Sequence, residues 1–210
     1  MKKTIISGAF ALGSFISIGQ QFELAQSPEN VISLDHSLQS VSTVYTLING
    51  QSHQDFTKSN SITTMVEGSP AMPYFTESVI VPNQGQISLE IEHDGFIDYE
   101  DINVVPSKGH LTRNINPENI GYSFGGQYSM DEFYPNNIAE LSTPFNLRNT
   151  RGVTVTVSPY QYNPVTKVLR VYSNIRTNVL INESETGVNE LTTSYSQNDV
   201  FSSIYNKHYI

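Results

Sequence analysis

Two segments of this chain, residues 87–92 and 153–158, alternate strictly between apolar and polar side chains. Successive side chains of a β-strand point to opposite faces of the sheet, so this alternation predicts two strands that each bury one face. Other segments rich in β-branched and aromatic residues continue the pattern; they are residues 43–47, 61–66, 74–81, 168–172 and 175–181. Gly, Pro, Asn and Ser separate these segments at short intervals, as is typical of all-β domains.

We therefore predict an all-β fold of about ten short strands, an antiparallel β-sandwich or jelly-roll in a single domain. Helical signals occur in two short segments only. Residues 129–133 have the length of one turn, and residues 199–205 form a short candidate helix that Asp199 would cap.

Composition argues against two classes of function. The formal net charge is −9 at pH 7, whereas a protein that binds nucleic acid through its phosphates needs a basic surface. The sequence contains no cysteine, so it offers neither a disulfide nor a catalytic thiolate. We therefore predict no nucleic-acid partner and no thiol catalysis by these residues, and nothing in the sequence indicates a cofactor.

The start of the chain has the features of a secretory signal peptide. Lys2 and Lys3 precede an apolar run over residues 5–18, and small residues follow where a signal peptidase would cut before Gln20. A second cut after Ala25 is less favourable, because Glu23 would occupy a position that prefers a small neutral residue. The apolar run is shorter than the roughly 20 residues that span a bilayer, so we predict no transmembrane anchor.

These patterns divide the chain into four parts. Residues 1–19 are predicted to be the signal peptide and residues 20–30 a mobile lead-in. The β-sandwich is expected to occupy residues 31–181. Residues 182–210 are rich in Glu, Ser, Thr and Asn and are predicted to be a linker and short helix.

Established catalytic and metal-binding motifs are missing from the sequence. Its five histidines show no His-x-x-x-His pair, and the Gly-x-Ser-x-Gly elbow is absent; they are His36, His53, His93, His110 and His208. A Ser-His-Asp triad is a spatial arrangement, and the abundance of serine here neither supports nor opposes one. The acidic run at residues 92–101 lacks the alternating ligands and fixed glycine of an EF-hand, so we interpret it as a solvated turn.

The aromatic residues allow two interpretations. Twelve tyrosines and ten phenylalanines could form an exposed sugar-stacking platform, but buried tyrosines with bonded hydroxyls are commoner in a β-sandwich. We assign Tyr160, Tyr162 and Tyr172 to cross-strand packing beside a turn at Asn163 and Pro164. Two arginines, Arg148 and Arg151, either contact a partner or lie in water at a sheet edge.

Several short motifs follow one another in a fixed order between residues 101 and 172. Residues 106–113 read Pro-Ser-Lys-Gly-His-Leu-Thr-Arg and follow a plausible strand at residues 102–105. Further motifs lie at residues 116–120, 133–135, 144–148, 151–153 and 160–172. Their order and spacing resemble the amino-terminal propeptide of gingipain-type cysteine peptidases, a caspase-like clan secreted by Bacteroidetes.

This resemblance implies a function for Arg113. In such propeptides an arginine at the matching position lies in the active-site cleft of the peptidase and fills its arginine-specific pocket. The resemblance therefore implies a pseudo-substrate at Arg113, flanked by Thr112 and Asn114, and a partner that is the peptidase catalytic domain, bound in cis or in trans. If the enzyme prefers lysine, Lys108 takes this role instead.

The resemblance also implies that residues 182–210 lead toward a catalytic domain, which this sequence does not contain. The family pattern is followed incompletely at the end of the chain. No arginine stands where a processing junction is expected, and Lys207 is the nearest basic residue. A secreted carbohydrate-binding or adhesin β-sandwich remains the alternative function. It predicts exposed aromatic side chains in a row and glycan binding.

Overall fold

A computed structural model describes residues 21–25, 30–38, 44–58, 62–147 and 150–192 of the chain. Within these ranges it contains strands and short 3-10 turns and no α-helix. The strands are β1 (Gln21–Ala25), β2 (Val31–Ser37), β3 (Tyr45–Ile48), β4 (Gln51–Gln54), β5 (Ile62–Thr63), β6 (Pro73–Val81), β7 (Gln86–His93), β8 (Ile97–Tyr99), β9 (Ala139–Leu141), β10 (Phe145–Leu147), β11 (Thr150–Val157), β12 (Tyr160–Asn163), β13 (Val168–Val171) and β14 (Asn174–Asn182). The 3-10 turns are Phe56–Lys58, Pro117–Asn119 and Gly126–Ser129.

Two antiparallel sheets pack face to face. One has the order β1-β2-β14-β7, and the other has the order β10-β11-β6-β5 with β9 also paired to β11. The main core lies between them and includes Leu34 and Ile175 from the first sheet and Val79, Val153 and Val155 from the second. The predicted antiparallel β-sandwich is therefore confirmed.

Both alternating segments form strands, as the sequence predicts. Residues 153–158 fall largely in β11, where Val153, Val155 and Val157 are fully buried. Residues 87–92 fall in β7, which directs Ile87 and Leu89 against the same core. The predicted burial of one face is confirmed in β11, whereas in β7 Ile87 and Leu89 are only partly buried and Ile91 is 37% exposed.

A second core lies beneath a smaller sheet of order β12-β13-β8. Tyr160 and Tyr162 are buried there with Met72, Val104 and Leu169. The Tyr162 hydroxyl donates a hydrogen bond of 3.0 Å to the Ile102 carbonyl. This burial confirms the structural assignment of these tyrosines and removes them from any exposed sugar-stacking platform.

Three local predictions differ from the structure. Residues 21–25 form β1, paired with β2, where the sequence indicated a mobile lead-in, because β2 offers its free backbone edge as a partner. Residues 129–133 are not helical, and a 3-10 turn ends at Ser129. Of the predicted strand at residues 61–66, residue 61 lies outside the described residues, and the rest contributes only the two-residue strand β5.

The terminal predictions fall mostly outside the described residues. The signal peptide at residues 1–19 and the short helix at residues 199–205 lie there and remain predictions. The described part of the predicted linker returns to the domain, since the Leu191 amide donates to the Asn83 carbonyl. In the described part of the chain, no helix is long and apolar enough to cross a membrane.

Candidate functional site: an exposed loop that presents Arg113

The residues that the sequence singled out lie in one loop, residues 108–121, called here the exposed loop. It leaves the domain after the extended segment 103–107, which is held between β4 and residues 69–71 by backbone hydrogen bonds. Ser107 donates to the Ser69 carbonyl at 2.8 Å, and Gly68 donates to the Ser107 carbonyl at 2.9 Å. The loop therefore starts from an ordered part of the fold.

The chain returns from the exposed loop to the same place. The Gly125 amide donates to the Gly68 carbonyl at 2.8 Å, and the Tyr128 hydroxyl donates to the Val104 carbonyl at 2.8 Å. Gly68 has a φ of +77°, and a Cβ atom there would lie 3.0 Å from the Gly125 backbone. Both ends of the loop are thus fixed beside Gly68.

Arg113 occupies the tip of a turn in this loop. The Ile115 amide donates to the Thr112 carbonyl at 2.9 Å, which places Arg113 and Asn114 at the two central positions of a β-turn. The Thr112 hydroxyl donates to the Asn114 side-chain oxygen at 2.6 Å. All three candidate residues are exposed, and no hydrogen bond or ion pair joins the Arg113 guanidinium to another described residue.

Lys108, the alternative candidate, is engaged inside the loop. Its ammonium donates to the Pro117 carbonyl at 2.7 Å and lies 4.2 Å from the centroid of the Tyr122 ring. Using Lys108 as the inserted side chain would break both contacts. The geometry therefore favours Arg113 over Lys108 as the free cation of the loop.

The other arginines in the described ranges have partners. Arg170 pairs with Asp98 at 2.8 and 3.0 Å and stacks between Phe96 and Phe133. Arg176 forms two hydrogen bonds with Asp35, at 2.6 and 2.8 Å.

Arg151 is also committed to the fold. It is 0% exposed and donates to the carbonyls of Pro82, Gly85 and Val188. Both earlier interpretations of Arg151, as a partner contact or a solvated edge residue, are therefore wrong, because its guanidinium satisfies carbonyls inside the domain. Arg148 lies outside the described residues.

A buried carboxylate supports the base of the exposed loop. Asp55 accepts hydrogen bonds from Thr46 at 2.6 Å and from the Tyr122 hydroxyl at 3.2 Å, and Lys58 lies 3.5 Å away. Burial alone would raise the pKa of Asp55, but the hydrogen bonds from Thr46 and Thr57 and the charge of Lys58 bring it below its ordinary value. Asp55 is therefore held as an anion, and sequence inspection alone did not single it out.

The acidic run at residues 92–101 makes contacts within the protein. Asp98 forms an ion pair with Arg170. Asp94 accepts a hydrogen bond from the side-chain amide of Asn174, and Glu92 accepts one from the side-chain amide of Asn178. In the described ranges, no group of three or more His, Asp or Glu side chains is arranged to hold a metal ion.

Comparison with known proteins identifies the family. The family model Propeptide_C25 matches residues 21–209, nearly the whole chain. This chain belongs to the C25 propeptide family. The match includes the sandwich, the exposed loop and the segment after β14, so the family assignment applies to the whole described domain.

Curated relatives of this C25 propeptide are much longer proteins. Gingipain R1 of Porphyromonas gingivalis is 34% identical over 187 residues, which cover 84% of this chain and 19% of the relative. Gingipain R2 of Porphyromonas gingivalis strain W83 is 40% identical over 136 residues, covering 64% of this chain and 18% of the relative. The chain thus spans about a fifth of the length of these relatives.

Two solved structures share the fold. A chain in the complex of Porphyromonas gingivalis RgpB pro- and mature domains superposes with a TM-score of 0.78 at 29% identity, covering 88% of this chain and 95% of that one. A structure that describes the zymogenic latency of gingipain K from Porphyromonas gingivalis gives a TM-score of 0.63 at 16% identity, over 77% of this chain and 92% of that one. The second likeness concerns the fold alone.

Proposed function

We propose that this C25 propeptide keeps a secreted gingipain-like cysteine peptidase latent by placing Arg113 in its active-site cleft. The supporting observation is the contrast among the arginines in the described part of the chain. Three are paired within the domain, whereas Arg113 stands unpaired at the tip of an exposed turn. A free guanidinium on an ordered loop is what an arginine-specific pocket requires.

The energetics of this contact follow from the chemistry of arginine. A guanidinium forms two parallel charge-assisted hydrogen bonds with a pocket carboxylate, and a buried pair of this kind dominates an interface. Removing one partner of such a pair costs about 2–5 kcal/mol, or roughly 30-fold to several-thousand-fold in affinity. Thr112 and Asn114 flank Arg113 and would lie on either side of the pocket entrance.

One interface would serve two purposes. A domain that binds the folded peptidase and not its unfolded chain stabilises the folded state by mass action, so the contact that blocks the cleft also assists folding. We propose the peptidase catalytic domain as the partner, in cis or in trans. The chain itself contributes no catalytic thiol, since its sequence contains no cysteine.

Export of the chain is part of the same proposal. The predicted signal peptide, with Lys2 and Lys3 before the apolar run, would direct it to the cell surface or beyond. Its gingipain relatives in Porphyromonas gingivalis support this placement by analogy.

The proposal is tested by titrating an arginine-specific gingipain-type peptidase with the full chain and with its Arg113→Ala variant. We expect tight inhibition by the unmodified chain and weakening by about 30-fold or more in the variant, following the loss of the charged pair. Arg176→Ala is the matched control, because it removes another surface arginine and should leave inhibition unchanged. Equal inhibition by the unmodified chain and Arg113→Ala, or none by the unmodified chain, would reject the proposed role of Arg113.

A further inference from the structure

A continuous path of contacts joins the buried carboxylate of Asp55 to the middle of the exposed loop. Asp55 is 1% exposed, and its Oδ2 atom accepts from Tyr122 at the end of the loop. The Tyr122 ring packs against the small core cluster of Ile48, Ala71 and Val105. Tyr122 is therefore fixed to the domain by both its hydroxyl and its ring.

Lys108 extends this path across the loop. Its ammonium lies over the Tyr122 ring and donates to the carbonyl of Pro117. The hydrogen bond links the start of the loop to Pro117 within it, and the cation–π contact links the start of the loop to Tyr122 just after it. Asp55 also raises the pKa of Tyr122, after the larger effect of burial, so the phenol stays protonated as a donor.

The position of Arg113 relative to this link is informative. It lies near the midpoint between Lys108 and Pro117, at the far side of the segment that their hydrogen bond closes. Closing a segment removes conformations from its central residues, because the ends no longer move independently. The link therefore restricts the orientation of the turn that carries Arg113.

We infer that Lys108, Tyr122 and Asp55 are positioning residues that hold the Arg113 turn in one orientation and so protect the Arg113–Asn114 bond from cleavage. This inference rests on the proposed function, and it concerns the fate of the bound loop. Hydrolysis of that amide consumes one water and leaves a carboxylate on Arg113 and an amine on Asn114. It requires the carbonyl carbon to reach attack geometry, which a restrained turn disfavours.

A first test needs no peptidase. Backbone ¹⁵N relaxation of the free, full chain reports the order of the Arg113 and Asn114 amides on the picosecond–nanosecond timescale. We expect clearly lower order in Lys108→Met, whereas Lys167→Met, the same change on an exposed turn elsewhere, should leave these amides unchanged. Equal order at Arg113 in Lys108→Met and the unmodified chain would overturn the inference, whatever the partner proves to be.

A second test measures the fate of the loop with the arginine-specific peptidase. Mass spectrometry follows cleavage after Arg113 during incubation, with the thermal midpoint of each variant as a separate readout. We expect about tenfold faster cleavage in Lys108→Met and a smaller increase in Tyr122→Phe, which keeps the ring but loses the bond to Asp55. Lys108→Met should keep the thermal midpoint of the unmodified chain, so that faster cleavage of this variant is not due to a general loss of folding. Tyr122→Phe should lower the midpoint, because the buried Asp55 carboxylate loses one donor.

The outcomes separate the two proposals. If Arg113→Ala abolishes inhibition while Lys108→Met and Tyr122→Phe are cleaved at the unmodified rate, the positioning role fails and the proposed function stands. If Arg113→Ala inhibits as well as the unmodified chain, the proposed function fails, and the relaxation experiment alone decides whether Lys108 orders the turn. Cleavage of the unmodified chain after Lys108 instead of after Arg113 would assign the pocket to Lys108 and overturn both proposals.

Discussion

The Arg151 guanidinium donates a 2.7 Å hydrogen bond to the carbonyl of Val188, a residue 37 positions further along the chain. The same side chain donates to Pro82 and Gly85, which precede β7. Glu190 accepts from the amides of Gly85 and Gly187 and closes the arrangement. Burial lowers the pKa of Arg151, and the charge of Glu190 opposes that shift. The segment after β14 is thereby fixed to the sandwich.

Replacing Arg151 by Met should destabilise the domain by at least about 2 kcal/mol, because buried carbonyls lose their donor. It should also release the segment after β14. A glutamate-specific protease should then cut at Glu183, Glu185 or Glu190 in Arg151→Met and spare these sites in the unmodified chain. Urea unfolding and the protease digest provide the two measurements. Arg176→Met is the control, because it removes an arginine from a surface ion pair. An equally small effect of both changes would contradict the role of Arg151 in fixing the segment after β14.

The stability of the domain should fall in mild acid because of His36. This residue lies in β2, buried and stacked on Phe75 at 5.2 Å, and burial lowers its pKa from 6.5 to about 4. Between these two values the unfolded chain binds a proton that the folded chain does not. The free energy of unfolding should therefore decrease from about pH 6.5 to about pH 4, by about 3 kcal/mol in total.

The slope of the free energy of unfolding against pH tests whether His36 causes this acid sensitivity. Urea unfolding at several pH values should show that the free energy of unfolding changes less with pH in His36→Leu than in the unmodified chain. The lost ring contact would lower stability at every pH, so only the slope is diagnostic. Parallel curves for the two proteins would assign the acid sensitivity to other groups.

Two glycines with the same backbone conformation should respond differently to alanine. Gly50 and Gly68 have φ values of +78° and +77°, but a Cβ at Gly50 meets open space, whereas one at Gly68 meets the Gly125 backbone at 3.0 Å. Both variants bear the strain of a left-handed alanine. Gly68→Ala should lower the free energy of unfolding by about 1–3 kcal/mol more than Gly50→Ala, because the Gly125 backbone must move to make room for the new Cβ. Equal thermal midpoints of the two variants would show that the backbone at the base of the loop shifts without loss of stability.

Sequence alone was sufficient to predict the sandwich core. The alternation of Val153, Val155 and Val157 fixes which side of β11 is buried, and the turn at Asn163 and Pro164 predicts the hairpin of β12 and β13. The segment at residues 21–25 has no comparable signal, since its strand depends on the free edge of β2. A usable signal was overlooked at Asn49 and Gly50, whose positive φ angles suit the tight turn between β3 and β4.

The candidate site was predictable only in part. Polar neighbours and the family motifs indicate that Arg113 is exposed. The commitment of Arg151 to carbonyls depends on residues remote in the chain, so its local sequence, at the start of a strand, gives no indication of burial. Likewise the role of Asp55 arises from Tyr122, 67 positions away.

Under the proposed function, the pairing of Arg151, Arg170 and Arg176 determines which arginines an arginine-specific peptidase can reach. Such a peptidase would meet a folded propeptide in which Arg113 is accessible and the other three described arginines are bonded within the domain. An unfolded copy would expose every arginine as an ordinary cleavage site. Under the proposed function, the enzyme would therefore distinguish folded from misfolded propeptide by itself and remove the defective copies, so that proofreading would require no separate factor.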